Sequence, residues 1–166
     1  MRRMLRVSTL LCLIFLSGSL SAQTVCVAAK ESGDISDEDL TQTLLSGCLD
    51  ALFQDGCIAT NTVPRSVGED GWSLAETELA EAKEGYSDYL LSFLVAYATA
   101  PGPAGRSEPA LLEYRIFRVG DGCLLSEGRL EIPEDKTEKP KDREKYLSGL
   151  GTSLAGAFLA QRGIKK

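Results

Sequence analysis

No histidine occurs anywhere in the 166 residues. That removes the commonest general base at neutral pH, the Ser-His and Cys-His nucleophile pairs, and most zinc sites. There is also no Cys-x-x-Cys pair, and no cationic residue stands beside a cysteine to lower its thiol pKa, so redox or nucleophilic thiol chemistry lacks a cause. Tryptophan occurs once, and past the first 22 residues no apolar run approaches the ~20 residues of a membrane-spanning helix. Nor is there a glycine-rich phosphate cradle. The junction Lys30-Glu-Ser-Gly-Asp-Ile-Ser36 holds one glycine among acids, which disfavours anionic ligands.

What is present begins with an export signal. Arg2, Arg3 and Arg6 precede the apolar run from Val7 to Leu16, and small residues follow from Ser17 to Ala22. This is the layout of a cleaved secretory signal, and the run is short for a membrane anchor. Residues 1–22 are therefore expected to be removed, by cleavage after Ala22 or, as the rival, after Ser21. Lipidation at Cys26 is a second rival, weakened because Gln23-Thr24-Val25 are not the small residues expected before a lipidated cysteine. Removal of residues 1–22 takes three of the 18 basic residues and none of the 24 acidic ones, leaving a net charge of 15 minus 24, or −9. Nucleic acid and anionic lipid are poor partners for such a chain. Residues 23–166 suit a single domain with a real core. Four cysteines remain there (Cys26, Cys48, Cys57 and Cys123), and the expectation is buried thiols or at most one bridge.

Thr24 to Ala29 reads as a central strand buried on both faces. Ser36 as N-cap, Asp39 three residues on, and Ile35 with Leu40 as a staple mark the start of a helix whose apolar face is Leu40, Leu44, Leu45, Cys48, Leu49 and Leu52. Gly56 stops it. Cys57 to Val63 is a second strand, and residues 64–71 form a loop. Ser73-Leu-Ala-Glu76 is a capping-box pattern opening a short helix over 74–84. Tyr89 to Tyr97 is the most strand-like segment, and after a loop over 101–109 two alternating strands turn at Gly120-Asp-Gly122. Pro133 to Lys145 reads as a charged loop, followed by an amphipathic helix through Leu159. Its residues Gly149, Gly151, Ala155 and Gly156 are small enough for close approach to a sheet. The order β-α-β-α-β-β-β-α implies an α/β sandwich (α+β), with helices packed on a mixed sheet of about five strands.

Each chemical candidate has a plainer explanation. Asp37, Glu38 and Asp39 serve the helix start. Glu69-Asp70 is the remaining carboxylate pair, expected to be solvated in its loop, although a histidine-free hydrolase would need such a pair in a cleft. Gly120-Asp121-Gly122 offers too few oxygens for calcium. Trp72 reads as a packing residue at the helix entry. Trp72, Tyr86, Tyr89 and Tyr97 would line a pocket only if the domain carried an apolar ligand, and core packing explains them more economically.

Leu52 to Gly56, the run Ala82-Lys-Glu-Gly-Tyr-Ser-Asp-Tyr-Leu-Leu91, and the meander Leu111-Leu-Glu-Tyr-Arg-Ile-Phe-Arg-Val-Gly-Asp-Gly-Cys-Leu-Leu-Ser126 carry a resemblance. In these parts the chain resembles the α/β domain shared by the amino-terminal part of TolB, the curli secretion lipoprotein and the lipoprotein activator of a penicillin-binding protein. It departs from them in its short acidic first loop and in lacking a convincing lipidation motif. The resemblance implies a binding or assembly module without catalytic residues. The expectation is thus a non-enzymatic periplasmic or secreted protein that takes no cofactor or metal and acts on a cell-envelope protein with a basic or apolar surface. Membrane association, including association with the outer membrane, would require lipidation at Cys26 or a retained signal. The alternatives are the carboxylate hydrolase and the small apolar-ligand carrier.

Overall fold

The computed structural model describes residues 22–33, 37–68, 71–99, 107–133 and 140–162. The elements are β1 (Thr24–Ser32), α1 (Glu38–Gln54), β2 (Ile58–Asn61), β3 (Arg65–Ser66), α2 (Ala75–Glu84), β4 (Tyr89–Thr99), β5 (Ser107–Arg118), β6 (Cys123–Glu131) and α3 (Pro140–Arg162). The strands form one mixed sheet in the order β2-β1-β4-β5-β6, with β3 pairing beside β1 past the end of β2. β1 pairs in parallel with β2, β3 and β4, whereas β4, β5 and β6 are antiparallel. The expected α/β sandwich and its element order are observed, with a sixth, two-residue strand inside the segment read as loop 64–71.

β1 is an interior strand between β2 and β4, with residues buried on both sides. Val25, Val27 and Ala29 face α1 and α3, and Cys26 and Ala28 face the side covered by α2. The strand runs further than its apolar residues do, through Lys30 and Glu31, both buried. β-pairing with β3 and β4 continues across those charges, so ladder hydrogen bonding sets the strand end here.

The helix starts differ from the sequence patterns. Asp37, not Ser36, caps α1, accepting a hydrogen bond from the Leu40 N–H at 3.2 Å; Ile35 and Ser36 lie outside the described residues. The stripe Leu40, Leu44, Leu45, Cys48 and Leu52 is buried as expected. α2 begins at Ala75, with Leu74 at the cap position, one residue beyond the Ser73 expected there. α3 begins at Pro140 within the stretch read as loop, since proline's fixed φ suits a first helical turn. The small residues of α3 serve a helix contact instead of a sheet contact. A Cβ on Gly151 would run into the Leu44 carbonyl oxygen, and one on Gly47 into that of Ser148, so α1 and α3 pack backbone to backbone. Gly149 and Gly156 have open space around them.

Candidate functional site

The two faces of the sheet are built differently. One is covered by α1 and α3 and holds an apolar core that includes Phe93, Leu112, Leu154 and Phe158. The other is covered by α2 over β1 and β4, and its apolar cluster is small: Cys26, Ala28, Ala82, Leu90, Phe117 and Val119. Beside that cluster lies a buried charge network. The Lys30 Nζ sits 2.9 and 2.7 Å from the two Glu78 carboxylate oxygens and also donates to Ser92, whose hydroxyl donates to Glu78 Oε2 at 2.7 Å. Lys30 is 0 % and Glu78 2 % exposed. Burial pulls the Lys30 pKa below the usual lysine value, and the hydrogen bond Lys30 donates to the Glu78 carboxylate opposes that shift.

Trp72 covers this network. Its ring centroid lies 4.3 Å from Lys30 Nζ and 4.2 Å from the Arg115 guanidinium, and its indole N–H donates to Glu113 at 3.3 Å. The expected packing role is observed, with cations as the packing partners. Beyond Trp72 the face opens over β5 and β6 into a groove of about 280 Å³ lined by Glu113, Arg115, Glu127 and Arg129 among others. Arg115 Nε and Glu127 Oε2 are 3.3 Å apart. The charges of this face largely answer one another.

The residues proposed for an apolar carrier do not share a pocket. Tyr89 and Tyr97 belong to the core under α1 and α3, Trp72 is on the opposite face, and Tyr86 is 89 % exposed in the turn after α2. Tyr97 bonds through its hydroxyl to Thr41 and to the Asp37 carbonyl oxygen, and burial pushes its pKa up. Glu69 and Asp70 lie outside the described residues. At the β5–β6 turn Asp121 accepts from the Cys123 N–H and from Arg118, with Gly122 at φ +67°, so this segment is the expected hairpin. All four cysteines are free thiols. Burial alone pushes Cys48 up to about 12, and it is also the main cause raising Cys26, which makes both poor nucleophiles.

Lipidation at Cys26 would shorten β1 at its start. Processing there would delete Thr24 and Val25, of which Val25 is wholly buried and Thr24 bonds to Asp88 through its amide and hydroxyl, each at 2.9 Å. The thiol itself faces the interior beneath α2.

Among the described residues, three of the five exposed large apolar side chains lie on or next to β2, the other two being Tyr86 and Leu124. Phe53, Ile58 and Val63 are 54, 53 and 74 % exposed. They sit on the last turn of α1, on β2, and just after it. Asp50 and Asp55 are exposed on either side of Phe53 in sequence, and the last turn of α1 has no basic residue. Their charge adds to the negative end of the helix dipole. The sequence signal for Phe53 was its position off the apolar stripe of α1; Ile58 and Val63 were hidden among ordinary strand residues.

The fold has counterparts among solved structures. A DUF330 protein from Xanthomonas campestris is 14 % identical with a TM-score of 0.51, the match covering 86 % of each chain. The LpoB carboxy-terminal domain from Salmonella enterica is 13 % identical over 74 % of this chain and 92 % of that one, with a TM-score of 0.42. TolB from Acinetobacter baumannii is 8 % identical over 85 % of this chain and 28 % of its own, with a TM-score of 0.44. TolB and LpoB domains, which the resemblance named, are thus among the solved structures similar to this chain. No family model and no curated protein matches the sequence.

Proposed function

We propose that this chain is an exported, non-enzymatic module of the cell envelope, released from its signal after Ala22, that docks through the β2 end of its sheet onto a protein with an apolar and basic surface. The observation that carries the reading is the exposed trio Phe53, Ile58 and Val63 with exposed Asp50 on the same helix as Phe53. Large apolar side chains on a soluble face mark contact sites when they gather in one region, and the acidic rim selects a cationic counterpart. The export signal supplies the compartment. The interior supports a binding role, since Lys30, Glu78 and Ser92 are consumed by one another beneath Trp72. Cleavage after Ala22 fits the fold because β1 then begins one residue beyond the new terminus.

The test combines the amino-terminal mass of the mature protein with capture from an envelope extract. The expected results are a chain starting at Gln23 and a discrete protein partner retained by the native chain but lost with Phe53→Asp and Ile58→Lys. Equal retention by both variants would rule out the β2 end as the docking surface.

A further inference from the structure

At the opposite end of the sheet, β6 closes the strand order with nine residues, and we infer that this edge pairs with the β6 edge of a second copy, antiparallel, about a two-fold axis through Gly128. Backbone polarity permits it. The Ile132 N–H donates to the Ala110 carbonyl oxygen on the β5 side at 3.1 Å. By the alternation of an antiparallel ladder, residues 128, 130 and 132 turn their backbone groups toward β5, and residues 127, 129 and 131 turn theirs outward. A two-fold through Gly128 then sets Glu127 opposite Arg129 of the second copy, and Arg129 opposite its Glu127. Each of these is a position whose backbone groups face out and can bond across the axis.

Charge selects this register. Within one chain, Glu113 is paired with Arg129 and Arg115 with Glu127 across β5 and β6. The two-fold extends each pair into a row of four alternating charges, Glu113, Arg129, then Glu127 and Arg115 of the second copy, with the symmetric row beside it. Centring the axis on Glu127 or on Arg129 would stack like charges, which is unfavourable directly across strands. Glu127 and Arg129 are exposed. Gly128 fits the axis, where two backbones meet without side chains between them, and the Tyr114 ring covers it on the other face of the sheet. An isologous contact of this kind closes at two copies, which blunts an edge that no other strand among the described residues pairs with.

The test is sedimentation of the mature chain in reductant, which keeps Cys123 from crosslinking copies, at low and high salt. The native chain should be dimeric at low salt and weaken as salt rises. Glu127→Arg carries two cations across the axis and Arg129→Glu two anions, so each alone should lose at least about tenfold in self-association, the equivalent of about 1.4 kcal/mol. Mixed in equal amounts, the two variants should form a heterodimer, because each now faces its opposite. Circular dichroism checks that both fold. A native chain that stays monomeric, single variants that dimerise as well as the native chain, or a mixture that fails to associate would each overturn the inference.

Discussion

The two faces of the sheet solve the same problem in different ways. Under α1 and α3 the core is mainly apolar, with the Thr41–Tyr97 hydroxyl pair and buried Glu31 at one end, and the helices approach closely enough that Gly47 and Gly151 have no room for a Cβ. Under α2 the apolar cluster is small, and a lysine and a glutamate are buried beside it with their charges matched. α2 is short and rich in acids, so it brings little apolar surface to the sheet. The first face gains stability from area and packing. The second depends on pairing, since a buried ion pair adds little net stability but is costly to break. The buried charges Lys30 and Glu78 are thus matched within the second face, and three of the exposed large apolar side chains lie on or next to β2.

The largest effect should come from breaking the pair on the second face. Glu78→Gln leaves Lys30 buried without its counter-charge and should cost about 3–5 kcal/mol in denaturant unfolding. Replacing both partners, as Lys30→Met with Glu78→Leu, should recover most of that loss, because two apolar residues of similar volume no longer require pairing. Failure of the double variant to recover would mean that the network does more than fill space. On the first face Leu154→Ala should cost about 3 kcal/mol with no comparable rescue by a second change, since it removes wholly buried area and leaves a void.

A pH experiment separates the faces further. Burial raises the folded pKa of Cys48, under α1, from 9.0 to about 12. The unfolded chain therefore releases this proton at lower pH than the folded one. The contribution is full below pH 9 and is lost as pH rises toward 12, at up to about 1.4 kcal/mol per unit. Lys30 has the opposite sign, because its lowered folded pKa makes the unfolded state bind the extra proton, so its contribution improves as pH rises toward 10.5. Cys48→Ala should flatten the loss in stability above pH 9, whereas Lys30→Met in the double variant should steepen it, as read from denaturant midpoints. The smallest effect, about 1 kcal/mol, is expected for Trp72→Leu, which keeps apolar cover over Lys30 and loses the cation–π contacts.

The element order, the central place of β1 and the β4–β5–β6 meander were legible in sequence, because apolar periodicity and turn residues report them directly. The second face was not. Lys30 and Glu31 look like the end of a strand, and Glu78 looks like a solvated helix residue. Burial of a charge depends on a partner 48 residues away, which no local pattern encodes. The start of α1 was displaced by one residue because Ser36 and Asp37 are both competent caps, which sequence alone does not separate. The edge residues were visible as types but not as exposed surface. Phe53 stood off the α1 stripe, and only the fold shows that nothing among the described residues covers it.

The most direct test of the docking role is a photoreactive amino acid placed in living cells at Ile58 and, as a control, at Leu79, a partly buried residue of α2 packed against the sheet. If the β2 end is the docking surface, Ile58 yields one discrete adduct with another envelope protein and Leu79 yields none. Adduct formation at Leu79 with none at Ile58 would contradict the assignment.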